Sequence, residues 1–321
     1  MTPASTTVRI ATRGSKLALW QAHHVCDRLM ALEPGLAVDL VVLKTVGDKI
    51  LDRPLAEVGG KGLFVKEIEE ALLDGRADVA VHSMKDLPAE LAPGLRLAAV
   101  PEREDPRDAL IVRADLAAAV TARGGGIAAL PPAARIGTSS LRRVCALHAL
   151  RPDLAVGMLR GNVDTRLRKL DEGELEAIIL AAAGLRRLGF ADRITTTLDP
   201  ATFLPAIGQG ALAIECRSDD AATEARLQRL NDPRTALCTS AERAFLARLE
   251  GGCRTPMAAH ATLDGERLSL DGLVGRPDGT RILRQQIAGA ASEATKLGTQ
   301  LAEQLLSQGA ADILREFAQG S

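Results

Sequence analysis

Residues 77–88, ADVAVHSMKDLP, pass abruptly from an apolar run (Val79, Ala80, Val81) into His82, Ser83, Lys85 and Asp86, and Pro88 closes the segment. In an open parallel α/β sheet, ligands gather beyond the carboxyl ends of the strands. A lone carboxylate with a lysine beside it, launched from such a strand end, can stabilise a cation or move a proton in a sheltered cleft. The competing reading leaves Lys85 and Asp86 as a solvated polar loop.

Residues 135–168 offer different chemistry, with seven arginines against two aspartates. Arg142 and Arg143 follow GTSS (137–140), which reads as a strand end entering a helix. There the Thr138, Ser139 and Ser140 hydroxyls and free backbone N–H groups can bind an anion. Arg160 ends the next strand, and Arg166 lies one turn into a helix capped by Asn162. Arg13 and Ser15 hold the matching place after the first strand of the chain. Arginine suits bidentate recognition of carboxylate or phosphate, so this pattern points to a small ligand bearing several carboxylates. Surface ion pairing is the alternative, and it is preferred for Arg168 and Lys169 beside Asp171 and Glu172.

Cys253 stands between Gly251-Gly252 and Arg254. Glycines expose a side chain and an adjacent cation lowers a thiol pKa, so this thiol reads as nucleophilic, against the plainer reading of an incidental exposed cysteine. Cys26, Cys145, Cys216 and Cys238 fall in helix or strand patterns and read as core residues. GGKG (59–62) lacks the spacing of a nucleotide phosphate loop. Its glycines let a loop bend, and Lys61 is a candidate anion contact.

The elements that must position these residues alternate in type. Val8–Ala11 predicts a strand, and Ser15 caps a helix to about Leu32. Val38–Leu43 is aliphatic enough for a strand buried on both faces. Residues 45–60 read as a mobile loop before a helix at about 62–74. A proline-bounded crossover, PEREDPRD (101–108), leads to a second α/β unit, and FLPAIGQGALAIECR (203–217) leads back. The last ninety or so residues read as a helix near 234–249, three hairpin strands with Asp-Gly turns at 271–272 and 278–279, and one C-terminal helix carrying Leu297, Leu301 and Leu305. The expected fold is α/β, with two lobes joined by a double crossover and a small C-terminal α+β domain.

Composition excludes several classes. Forty Lys plus Arg against forty-one Asp plus Glu leave a net charge of −1, and aromatics are 2% with no Tyr. Neither suits a nucleic-acid binder, which needs basic surface and stacking platforms. No run is long enough to cross a membrane, and MTPASTTVRI lacks the profile of a signal peptide. Five cysteines without a C-x-x-C argue against disulfides and zinc. The expectation is a cytoplasmic protein with no metal.

These motifs resemble one family, the hydroxymethylbilane synthases, also called porphobilinogen deaminases. The resemblance rests on ATRGSKLALWQA (11–22), KTVGDKI (44–50), GGKGLFVKEIE (59–69), HSMKDLP (82–88), REDPRDAL (103–110), IGTSSLRR (136–143), LRGNVDTRLRKL (159–170), LPAIGQGALAIECR (204–217) and EGGCRTP (250–256). Ala213 stands where Gly is common, and Arg254-Thr255 where Gln-Val is usual. The resemblance implies two periplasmic-binding-protein-like lobes, 1–101 with 211–229 and 107–205, and a third domain, 233–321. It implies a monomer that joins four porphobilinogen molecules head to tail, releasing ammonia and then hydroxymethylbilane. The cofactor is dipyrromethane, held as a thioether on Cys253, with Asp86 as the catalytic carboxylate. Lys85, Thr138, Ser140, Arg142 and Arg143 would bind the cofactor, and Arg13, Ser15, Arg160 and Arg166 the substrate. A two-lobed polycarboxylate receptor and an RNA-binding module are the rival classes. The reactive Cys253 counts against the first, and the charge balance against the second.

Overall fold

The structure, a computed structural model, describes residues 7–49, 65–249 and 255–319. Lys61, Cys253 and most of the 45–60 loop lie outside the described residues. The chain opens with β1 (Thr7–Arg13), α1 (Lys16–Leu32), β2 (Ala37–Leu43), a single turn α2 (Val46–Lys49), α3 (Lys66–Leu73), β3 (Val79–Ser83) and β4 (Leu95–Ala99). It continues through β5 (Asp108–Val112), α4 (Ala114–Ala122), β6 (Arg135–Gly137), α5 (Leu141–Leu150), β7 (Ala155–Gly157), α6 (Val163–Asp171), β8 (Ala177–Ala181), α7 (Ala182–Arg187) and β9 (Thr196–Thr197). It ends with β10 (Leu212–Arg217), α8 (Ala221–Gln228), α9 (Pro233–Arg248), β11 (Met257–Asp264), β12 (Arg267–Gly275), β13 (Ile282–Ala290), α10 (Ala294–Ser307) and α11 (Ala310–Gln319).

Two five-stranded sheets share one topology. The first runs β2-β1-β3-β10-β4 and the second β7-β6-β8-β5-β9. In each, three parallel strands adjoin one antiparallel strand, β10 or β5. Each antiparallel strand directly follows a passage of the chain from one sheet to the other, so the double crossover is built into both lobes. The parallel strands aim their carboxyl ends at the space between lobes, which is where such sheets place ligands.

Local sequence explains most of these elements. Ser15 caps α1, its Oγ accepting from the Ala18 amide at 3.3 Å. Every residue of β5 is buried, as a strand covered on both faces requires. β2 is different, despite its aliphatic run. It pairs only with β1 at the sheet edge, and Val42 is 53% exposed. The third domain is an antiparallel β11-β12-β13 meander. Its core holds Phe245, Leu297, Leu301 and Leu305 from α9 and α10. The Asp271-Gly272 pair lies inside β12 rather than at a turn. Gly272 is needed there for close packing, because a Cβ would come within 2.9 Å of both Leu301 and Phe245. The first hairpin instead turns at Asp264-Gly265, where Gly265 has φ +55°. The C-terminal helix is two helices, broken at Gly309 with φ +96°.

One carboxylate joins both crossovers to the third domain. Glu242 on α9 is fully buried and accepts from Arg103 Nη1 (2.6 Å) and Nη2 (3.2 Å) in the first crossover. It also accepts from the Gly208 amide (2.7 Å) in the second crossover and the Ala261 amide (2.9 Å) on β11. The crossovers touch beside it, where the Glu104 amide donates to the Gly210 carbonyl at 3.2 Å. Gly210 has φ +89°, and a side chain there would run into the Glu104 carbonyl. Across the cleft, Lys16 pairs with Asp164 at 2.5 Å, and the Arg187 guanidinium lies 5.7 Å from the Trp20 ring centroid.

Candidate active site

The strand ends of the first lobe bring three of the sequence candidates, Arg13, Ser15 and Asp86, to one pocket. Ser83 ends β3, and Met84–Asp86 form a single 3-10 turn beyond it. A pocket there is lined by Arg13, Ser15, Gln21, His82, Ser83 and Asp86, with apolar neighbours from α1 and α3. Gln21 Nε2 donates to Ser83 Oγ at 2.8 Å, which orients that wall.

The second lobe faces this turn with positive charge. Burial pushes the Arg166 guanidinium down to about 10, Arg143 and Arg160 push it the same way, and Asp86 opposes them. Lys85 is likewise lowered by burial. Asp86 and Asp108 resist that shift, while Arg143 and Arg166 reinforce it. Groups that shift one another in this way share a low-dielectric space. Asp86 of the first lobe thus lies within electrostatic reach of Arg166 of the second, and Lys85 within reach of Arg143 and Arg166. Arg166 Nε is held by the Gly161 carbonyl at 2.8 Å. Arg160 Nε is buried and has no hydrogen-bond partner among the described residues. Thr138 is buried, and its Oγ1 accepts from the Ser140 amide at 3.2 Å.

Arg142 and Arg143 are anchored inside the second lobe before they reach any ligand. Asp108, fully buried at the start of β5, sits 2.7 Å from Arg142 Nη2. It also accepts from Arg143 Nε (3.0 Å) and Nη2 (2.7 Å) and from Gln209 Nε2 (3.0 Å). Arg143 Nη1 donates to the Ile179 carbonyl and Arg142 Nη1 to that of Leu204. Sequence reasoning missed Asp108 and Gln209, although both lie in motifs it quoted. The signal was an acidic residue leading a fully apolar strand, where only a buried cation could keep it. Arg187 was missed as well. It donates to the Gly210 carbonyl at 2.6 Å, and burial lowers it to about 10. Arg168 pairs with Glu172 at 2.6 Å, the surface role expected of it.

Burial raises the Asp108 carboxyl, yet Arg142 and Arg143, with the hydrogen bonds of Gln209 and Arg142, hold it below the usual carboxylate range on balance. A depressed folded-state value means the stabilisation is present above roughly pH 4 and is lost as pH falls through that lower value. Asp108→Asn leaves two nearly buried guanidinium groups without their counter-charge, so we expect about 3–5 kcal/mol of lost stability. Urea denaturation checks this, and an unchanged midpoint would contradict it.

Two α/β lobes joined by a double crossover, with a third domain bound to both crossovers, define a two-lobed protein of the binding-protein type. A family model described as porphobilinogen deaminase, dipyromethane cofactor binding domain, matches residues 8–225. A second, porphobilinogen deaminase, C-terminal domain, matches residues 236–307. The chain belongs to the porphobilinogen deaminase, or hydroxymethylbilane synthase, family. Its activity is the polymerisation of porphobilinogen on a dipyrromethane cofactor in tetrapyrrole synthesis.

Solved structures show a looser likeness. The Bordetella pertussis BvgS VFT2 domain (double mutant) is 16% identical with a TM-score of 0.41, covering 70% of this chain and 86% of that one. The periplasmic aliphatic sulphonate binding protein SsuA from Escherichia coli is 14% identical with a TM-score of 0.41, covering 76% and 75%. A polar amino acid ABC uptake transporter substrate binding protein from Streptococcus thermophilus is 11% identical with a TM-score of 0.43, covering 70% and 78%.

Proposed function

We propose that Asp86 is the catalytic carboxylate of this polymerisation and that Cys253 carries dipyrromethane as a thioether. The observation that carries the reading is Asp86 on the wall of one pocket with Arg13, Ser15 and His82, with Arg166 near enough to sense its charge, in a cluster whose cations outnumber its carboxylates. Such an excess suits a ligand with several acetate and propionate groups. The buried Arg160 Nε, without a hydrogen-bond partner among the described residues, fits the same demand. Lys85, Thr138, Ser140, Arg142 and Arg143 would hold the cofactor, with the arginines using the donors that Asp108 leaves over. Arg13, Ser15, Arg160 and Arg166 would bind porphobilinogen, and Lys61 is a further anion contact. When bound, the cofactor supplies the nucleophilic pyrrole carbon.

The chain's own part is electrostatic. Asp86 accepts hydrogen bonds from pyrrole N–H groups and stabilises the cation left when ammonia departs, far more strongly in a sheltered cleft than in water. It also takes up the proton that the reacting carbon must lose. Four additions followed by hydrolysis yield hydroxymethylbilane. The domains divide as 1–101 with 211–229, 107–205 and 233–321, in line with sheet membership. We further propose a cytoplasmic monomer whose partner is its small-molecule substrate.

The test is intact mass before and after acid denaturation, with ammonia release followed on adding porphobilinogen. A covalent two-pyrrole adduct and stoichiometric ammonia are expected. Reversible porphobilinogen binding with neither would overturn the reading.

A further inference from the structure

Beneath the Asp86 turn lie buried charges that the roles above do not use. Glu215 on β10 is fully buried, with Oε2 3.1 Å from Nε2 of His82, which also lines the cleft. Its Oε1 has no hydrogen-bond partner among the described residues. Arg243 on α9 donates from Nη2 to the Ala89 carbonyl at 2.8 Å, while its buried Nη1 likewise has no such partner. Burial lowers the Arg243 guanidinium and Glu215 opposes that shift, so the two charges sense each other. Glu69 on α3 completes the group. Its Oε1 accepts from the Ala92 amide at 3.3 Å. Burial and then Glu215 raise its carboxyl, against the Ala92 amide and His82.

These contacts converge on the segment just after Asp86. Ala89 packs against the core of the third domain. Ala236 on α9 packs against the cluster holding Met84 and Leu87, which flank Lys85 and Asp86. Helix α9 is thus the floor under the turn, and Arg243 reaches from it to the far side.

We propose that Arg243, reaching from α9 of the third domain to hydrogen-bond the Ala89 carbonyl just after the Asp86 turn, is a positioning residue that fixes that turn relative to the third domain. The inference rests on the assignment of Asp86 as the catalytic carboxylate. Arg243 touches no reacting atom. It acts by setting where Asp86 stands relative to chemistry tethered from the third domain, and a displacement of about 1 Å in such a group costs up to about 10²-fold in rate.

The test uses the full chain, loaded with cofactor as judged by intact mass. Arg243→Met is expected to lower kcat roughly tenfold or more with KM for porphobilinogen within about twofold. Arg243→Lys, which can still donate to Ala89 and keep its charge near Glu215, is expected to restore most of kcat. In an Asp86→Asn background, Arg243→Met is expected to cost less than about twofold more, because its effect runs through Asp86. Should Arg243→Met fail to fold, Arg243→Gln carries the same comparisons. The proposal is overturned by a lowered unfolding midpoint with kcat unchanged, or by a loss that multiplies in full on Asp86→Asn. Near-normal turnover of Asp86→Asn alone would instead sink the assignment of Asp86, a distinguishable failure.

Discussion

Asp86→Asn is expected to yield a folded, cofactor-loaded protein whose turnover is lower by about 10³-fold or more. The substitution is nearly isosteric and lies on a partly exposed turn, so packing of Met84 and Leu87 is left intact. What disappears is the negative charge that offsets burial at Arg166, which Arg143 and Arg160 already press the other way. The cation formed as ammonia leaves would then develop beside an uncompensated positive field. The same substitution removes the charge that supports Lys85, so its pKa falls further. Porphobilinogen consumption per loaded molecule is the measurement, with loading read by mass. Turnover within a few-fold of the unsubstituted chain would remove Asp86 from the mechanism.

Cys253→Ser is expected to abolish the covalent cofactor and with it the polymerisation. A thioether requires a sulfur nucleophile, and the thiolate is the reactive form. The other four cysteines cannot take over. Cys26, Cys145, Cys216 and Cys238 are buried, and burial pushes each thiol up to about 11. Almost none of their sulfur is thiolate near neutral pH. Intact mass should match the bare polypeptide, whereas a two-pyrrole adduct of unchanged size on Cys253→Ser would refute the attachment point.

The two lobes are legible because their strands are short aliphatic runs with clear caps and breakers, such as Ser15 before α1 and the prolines of the crossovers. Edge position is not legible in the same way. β2 carries as dense an aliphatic run as a central strand, and only the pairing of the sheet reveals that one side of it is open. Turn chemistry misleads where packing needs a glycine, as at Gly272, whose Asp-Gly pair imitates a hairpin signal inside β12. The arginine cluster can be read from residue type and spacing. Its internal partner Asp108 leaves only a partial trace, an acidic residue heading an apolar strand, because which cations it pairs with is decided by residues distant in sequence, Arg143 and Gln209. The His82–Glu215 contact is hidden for the same reason, since 133 residues separate its members.

Because Glu242 receives donors from both crossovers and from β11, it latches the third domain to both passages of the chain between the lobes. Detaching it would strand a buried anion and cost about 3–5 kcal/mol, so fewer than about one molecule in a hundred is unlatched at any moment. Any change in the interlobe space that keeps this latch closed has to be taken up by the crossover residues on either side of it.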